Sequence, residues 1–422
     1  MLEKKVLSNG LKVIVSPMAH MTSVSIGIWI GAGGRYETKK LSGASHFIEH
    51  MLFKGTTKYT AKQLKEAIEG VGGMFNGFTA DEVTCYMIKV PADYLTLGLD
   101  VLTDMVFNSR FDSVDMQKEK YVICEEIKMY KDQPSEYVGE LLAELMWPGN
   151  PLGMPLTGSI SNVKGFKRED LLSYRDLTYQ PFNMSVIVVG KVSPKEIFSY
   201  TESKFPNNKK HKLNVDTPSL SQKSPRFKVE LRKTNQTQIA FGFPVEDNNI
   251  NERIAIKILS IILGGNMSSR LFEELREKYG LCYDIASEYK RHSDIGEFAI
   301  HAGVDNEKAS ESTSAIVDEL KKIKDLGVTA DELVRAKEFA KGQFLLSLEN
   351  TSSRMMWLGY RVMIDKNIPV VDELLKKIDG VSLSMVQNLC NRIFQPKAIN
   401  AAMIGNLTPS ARTKIRKTLD TL

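Results

Sequence analysis

The pattern of apolar and polar positions along this chain predicts two similar series of elements. In the first, VSIGIWIGAGG (24–34) reads as a strand, helices are expected around 43–54 and 61–70, a second strand ends in TCYMIKV (84–90), and helices run from Ala92 to Met129. In the second, QIAFGFP (238–244) reads as a strand, a helix from Asn251 to Leu263 precedes another near 269–278, a strand covers IGEFAIHAGV (295–304), and helices run from Glu307 to Asn350. Between the two lies KFPNNKKHKLNVDTPSLSQKSPR (204–226), polar and rich in Lys, Asn, Ser and Pro, which reads as an exposed linker. The expectation is a duplicated α+β unit, with domains at 1–205 and 227–422 joined by a linker at 206–226. A chain of 422 residues is long enough to divide in this way.

Chemistry enters on the helix expected around 43–54. His46-Phe47-Ile48-Glu49-His50 places two histidines four residues apart, one above the other on a single helical face. Two neutral imidazoles so spaced can grip one Zn²⁺ ion. Glu49 projects from nearly the same face and can act on a water there without being a ligand. The order is the H-E-x-x-H arrangement reversed, H-x-x-E-H. Ser42-Gly43-Ala44-Ser45 offers caps for the helix start, and Gly55 can stop its end. The corresponding stretch of the second series, NERIAIKILSII, carries no such motif.

A catalytic zinc site takes a third protein ligand. Glu119-Lys120-Tyr121-Val122-Ile123-Cys124-Glu125-Glu126-Ile127 reads as a helix that must end before Pro134. Glu119 and Glu126 lie two turns apart on one face, so one can bind a metal while the other orients a ligand or water. Spacing alone does not separate Glu125 from Glu126.

Several segments then fall together. GASHFIEHMLFKGT, GGMFNGFTADEVTCY, EKYVICEEI, YQPFNMSVIVVG (179–190) and SSRLFEELREKYGLCY (268–283) resemble the inverse-zincin metallopeptidases of the pitrilysin and insulin-degrading enzyme family. Within it they are most similar to the catalytic beta subunits of mitochondrial processing peptidase and their bacterial homologues. The resemblance covers essentially the whole chain. It implies a processing-peptidase-like metallohydrolase fold whose two homologous halves form a clamshell around a cavity, with the linker as hinge. It implies one zinc ion per chain on His46, His50 and Glu126, with Glu49 as general base and Glu119 as supporting acid. Arg276 and Tyr283, seven apart in REKYGLCY, match an Arg and a Tyr that reach the zinc site and can donate hydrogen bonds to a developing oxyanion. Phe75 and Asn76 match an edge strand to which an extended peptide adds by backbone hydrogen bonds. Glu136 and Glu140 match two acids that hold an arginine near the cleavage point, although acids also suit the start of a helix.

The expected activity is therefore zinc-dependent endopeptidase cleavage of peptides or unfolded segments. Processing-peptidase alpha subunits carry a long glycine-rich loop where this chain has only Gly264-Gly265-Asn266-Met267. The alternative is a non-catalytic assembly subunit like the core proteins of respiratory complexes, whose zinc motifs are generally degenerate. Intact His46, Glu49, His50 and Glu126 argue against it. A homodimer is expected from the bacterial homologues.

Composition changes this picture little. The charged fraction is 25%, the hydrophobic fraction 42% and the net charge +5, with no dense basic patch, so nucleic acid is not an expected partner. Cys85, Cys124, Cys282 and Cys390 form no C-x-x-C, and buried reduced thiols are expected. The N-terminus passes straight into a turn and a strand, without the features of a signal peptide or an Arg-rich presequence, and no apolar run approaches the roughly 20 residues that span a bilayer. A cytoplasmic bacterial enzyme with no membrane partner is the expectation.

Overall fold

The computed structural model describes residues 2–206, 215–247, 249–365 and 367–422. Of the expected linker, residues 207–214 lie outside the described residues, and 215–225 carry no regular secondary structure. The chain folds as two compact units, each a mixed sheet with helices. One comprises Met1–Lys128, Met154–Val215 and Leu345–Ile368; the other comprises Met129–Gly153, Asp216–Phe344 and Pro369–Leu422.

Among the described residues the first unit is built on six strands, β1 (Glu3–Val6), β2 (Lys12–Pro17), β3 (Ser23–Ile30), β4 (Met74–Thr79), β5 (Thr84–Pro91) and β6 (Met184–Gly190), in the order β1-β2-β6-β3-β5-β4. The described residues of the second form five, β7 (Arg226–Leu231), β8 (Gln236–Val245), β9 (Cys282–Arg291), β10 (Gly296–Asp305) and β11 (Asn400–Gly405), in the order β7-β11-β8-β10-β9. Without β1, the two orders are the same. In both, the first pair is parallel, β2 with β6 and β7 with β11, and the following pairs are antiparallel. The duplication in the sequence is thus a duplication of topology.

Strands β3 and β6 are apolar almost without interruption because both sheet faces are covered. On one face Val13, Val15, Ile26, Ile28, Ile88 and Val188 form the main core with the helices α1 (Ala44–Leu52), α2 (Ala61–Glu69) and α3 (Leu95–Asn108). On the other, Ile14, Trp29, Ile187 and Val189 pack against Met355, Leu358 and Val362. The helix Thr351–Tyr360 therefore covers a sheet whose strands lie far earlier in the chain. It comes close through Gly359, where an added Cβ would stand 2.0 Å from Cε2 of the fully buried Trp29.

The second unit shows the counterpart. Helix α4 (Ser113–Asp132) ends before Pro134, and that proline opens α5 (Pro134–Met146) at its first turn. Val138, Leu141, Leu142 and Met146 of α5 pack on Ala240, Ala299, Ala402 and Ile404 of the second sheet. Against the contiguous division expected at 1–205 and 227–422, residues 129–153 thus fold with the later strands and 345–368 with the earlier ones. The apolar stripe of each helix is buried on a sheet that its neighbours in sequence do not form.

The cysteines are free; Cys85, Cys124 and Cys390 are buried and Cys282 is half-buried. Among the described residues no helix is long and apolar enough to cross a membrane.

Candidate metal centre

Helix α1 carries the two histidines. Its inner face buries Phe47, Ile48, Met51 and Leu52 completely, which fixes the helix on the sheet and turns His46, Glu49 and His50 away from the core. Of the candidates Ser42-Gly43-Ala44-Ser45, neither serine side chain caps the start of the helix. Its N-cap is Gly43, in the left-handed region at φ 94°, with no side-chain cap of its own. The cap comes from Glu37, whose carboxylate accepts from the backbone N–H of Gly43 at 2.7 Å and of Ser45 at 2.6 Å. Burial pushes the Glu37 carboxyl up to about 7, against those two bonds.

Helix α4 supplies the acids. Glu126 sets one oxygen 3.6 Å from Nε2 of His46 and the other 3.4 Å from Nε2 of His50. The ligand atoms of the three residues all lie within 4.8 Å of one another. Two turns earlier, the buried Glu119 accepts from Nδ1 of His50 at 3.0 Å and pairs with Lys54 at 2.6 Å. That bond assigns a proton to Nδ1 and leaves Nε2 turned toward Glu126, the nitrogen that is free for a metal once its own proton is lost. The Nδ1 of His46 is buried with no hydrogen-bond partner among the described residues, so nothing fixes that tautomer in the same way.

The charges of the cluster support one another. The close approach of His46 and His50 holds the Glu126 carboxyl down to about 2. For His50 burial opposes the charged form, but the hydrogen bond to Glu119 and the close carboxylate of Glu126 outweigh it and hold the imidazole up to about 9. Burial likewise works against a charged Glu119, and His50 with Lys54 prevails, keeping it below the ordinary carboxylate value.

Two imidazoles and one carboxylate are a donor set that zinc takes in catalytic sites. Donors arranged tetrahedrally at about 2.0–2.1 Å from zinc lie about 3.3–3.4 Å from each other. The 3.4 and 3.6 Å separations here are close to that edge, so the residues fit the ion. Glu125 is not part of the cluster; it is exposed and pairs with Lys128 at 2.7 Å.

Glu49 lies on the outer side of the same helix, and its carboxylate accepts from the hydroxyl of Thr79 at 2.7 Å. On β4 Phe75 packs inward on Phe53, with ring centroids 5.3 Å apart, while Asn76 is exposed and its side chain accepts from the N–H of Gly77. The first unit thus brings together His46, Glu49, His50, Glu119 and Glu126, with β4 beside them. Glu37, Lys54 and Thr79 are additions that the sequence did not single out.

The remaining expected residues belong to the second unit. Arg276 lies in a π-helical turn, Phe272–Lys278, and its guanidinium sits over two rings, 4.7 Å from that of Phe272 and 5.0 Å from that of Tyr283. Tyr283 is 75% exposed. Glu136 and Glu140 are one turn apart on α5; Glu136 is exposed, and burial raises the pKa of Glu140 against the pull of Lys131.

Comparison with known proteins places this geometry in a lineage. Residues 12–159 match the insulinase family, peptidase family M16, and residues 165–339 match the peptidase M16 inactive domain. The uncharacterized zinc protease YmxG of Bacillus subtilis (strain 168) is 33% identical over 400 residues, which is 93% of this chain and 96% of that protein. A protease from Helicobacter pylori has the same fold, with a TM-score of 0.90 at 23% identity over 96% of this chain and 99% of that one. A peptidase M16 inactive domain from Pseudomonas fluorescens gives 0.88 at 16% identity, over 96% and 98%. With its topology, its histidine–glutamate cluster and relatives named as zinc proteases along nearly its whole length, the chain belongs to the M16 peptidase family.

Proposed function

We propose that this protein is a zinc-dependent endopeptidase acting on peptides or unfolded segments in extended form. The observation that carries the reading is the convergence of His46, His50 and Glu126 with Glu49 one residue from the second histidine. Zinc, when bound, supplies a Lewis acid that polarises the scissile carbonyl and acidifies a water. His46, His50 and Glu126 hold the ion, and Glu119 keeps the ring of His50 in its binding tautomer. Glu49 takes a proton from the attacking water and returns it to the leaving amine. For Arg276 and Tyr283 the family resemblance supports donation to the reacting carbonyl oxygen.

The test is zinc content together with hydrolysis of a mixed peptide pool read by mass spectrometry. The wild-type protein should hold about one zinc per chain and cut the pool. Glu49→Gln should keep the zinc and lose about 10²–10⁴-fold in kcat, the usual contribution of a general base. Zinc binding without any cleavage by the wild-type protein would support a non-catalytic assembly role instead.

A further inference from the structure

We propose that Thr79 is a positioning residue for Glu49: its hydroxyl, delivered by the edge strand β4, holds one oxygen of the carboxylate and leaves the other to take the proton. The inference rests on the reading of Glu49 as general base. A glutamate has three rotatable bonds, and a half-buried one without a partner spreads over several rotamers. Here Thr79 Oγ1 donates to Oε2 at 2.7 Å, and no other hydrogen bond reaches this carboxylate among the described residues. Oε1 is therefore the oxygen left for the reaction.

The contact depends on how β4 is seated. Phe75, Gly77 and Thr79 alternate along the strand and face α1. Phe75 anchors the strand on Phe53. At Gly77 an added Cβ would lie 3.1 Å from the ring of Phe53 and 3.3 Å from Cγ of Glu49, so the missing side chain sets how closely strand and helix approach. Thr79 itself pairs with Thr84, and the next residue, Ala80, closes the turn by donating its N–H to the carbonyl of Val83 at 2.8 Å. The hydroxyl thus stands at a fixed end of a hairpin. Among the described residues β4 pairs only with β5, so the residue that steers the base lies on the outermost strand of the sheet.

Thr79→Val keeps the shape and removes the donor, and Thr79→Ser restores it. The expected result for Thr79→Val is a fall in kcat of about 10- to 100-fold, the range usual for a group that orients a functional side chain, with KM and the zinc dissociation constant unchanged. Thr79→Ser should recover most of the loss. In a Glu49→Gln background Thr79→Val should cost nothing further, because the group it orients no longer works. A second readout needs no turnover: in urea unfolding of the zinc-free protein, Thr79→Val and Glu49→Ala should be non-additive. Wild-type kcat in Thr79→Val, no recovery in Thr79→Ser, an undiminished further loss in the Glu49→Gln background, or additive unfolding midpoints would each overturn the proposal. If Glu49→Gln itself turns over normally, the general-base reading fails and the proposal goes with it, whereas a failure of Thr79→Val alone leaves that reading standing.

Discussion

Changing Glu119 to Gln alters neither the length nor the shape of the side chain, yet it should weaken zinc binding by about ten- to a hundredfold. The carboxylate serves two donors at once, Nδ1 of His50 at 3.0 Å and Nζ of Lys54 at 2.6 Å, in a site where Glu119 is only 3% exposed. An amide has one acceptor oxygen, so one donor loses its partner or faces the NH₂ group. A hydrogen bond to a charged group contributes about 1.5–3 kcal/mol, and each 1.4 kcal/mol is about tenfold in affinity. If the loss falls on His50, the ring is free to turn and to carry its proton on Nε2, where it cannot bind a metal. The assay is competition for zinc between the purified protein and a chromophoric chelator at fixed pH. Lys54→Met is the companion variant. It removes the ion pair but leaves the bond to His50, so its affinity should stay closer to wild type. An unchanged zinc affinity in Glu119→Gln, with the protein folded, would refute the idea that this acid secures His50.

Three further expectations follow from packing and charge. Gly359→Ala should destabilise the protein by about 1–3 kcal/mol in chemical denaturation, since the new methyl meets the rigid ring of Trp29, whereas Gly139→Ala, with nothing within 4 Å, should be neutral or gain up to about 1 kcal/mol. Glu37 keeps its proton up to about pH 7 when folded but only to about 4.5 when unfolded, so its contribution is complete below pH 4.5 and is lost as pH rises through 7. The stability of the wild-type protein relative to Glu37→Gln should therefore fall by about 3 kcal/mol across that window, and a pH-independent difference would contradict the shift. Arg276→Ala and Tyr283→Phe should lower kcat more than they raise KM and leave zinc in place; a change confined to KM would assign them to ground-state binding.

Much of the site was legible because helical spacing is local. His46, Glu49 and His50 share a face by arithmetic, and so do Glu119 and Glu126. The choice between Glu125 and Glu126 needed the resemblance first and then the orientation of α4, since neighbouring positions point about 100° apart. The start of α1 was legible to within Ser42–Ser45, where Gly43 is the N-cap, but the capping acceptor was not, because Glu37 reaches the helix start from a preceding turn. Thr79 and Lys54 lay within the segments that carried the resemblance, but their partners are fixed only when β4 and α4 settle against α1. The nearly continuous apolar runs of β3 and β6 are those of a sheet covered on both faces. They did not say that the second cover is residues 345–368, because periodicity reports that a face is buried and not which segment buries it.

That cover has a consequence for the order in which the protein is made. A ribosome delivers the last strand of the first sheet with β6, but Met355, Leu358 and Val362 appear only after some 160 more residues. At about 5–20 residues per second, Trp29, Ile187 and Val189 wait roughly 8–30 s with their apolar face uncovered. During that interval the nascent chain presents a surface suited to holding by a chaperone or to sticking to another chain. A stop codon or pause anywhere between the two sheets would thus leave not a finished half-protein but an open one, with its zinc helix in place over a sheet still missing its back.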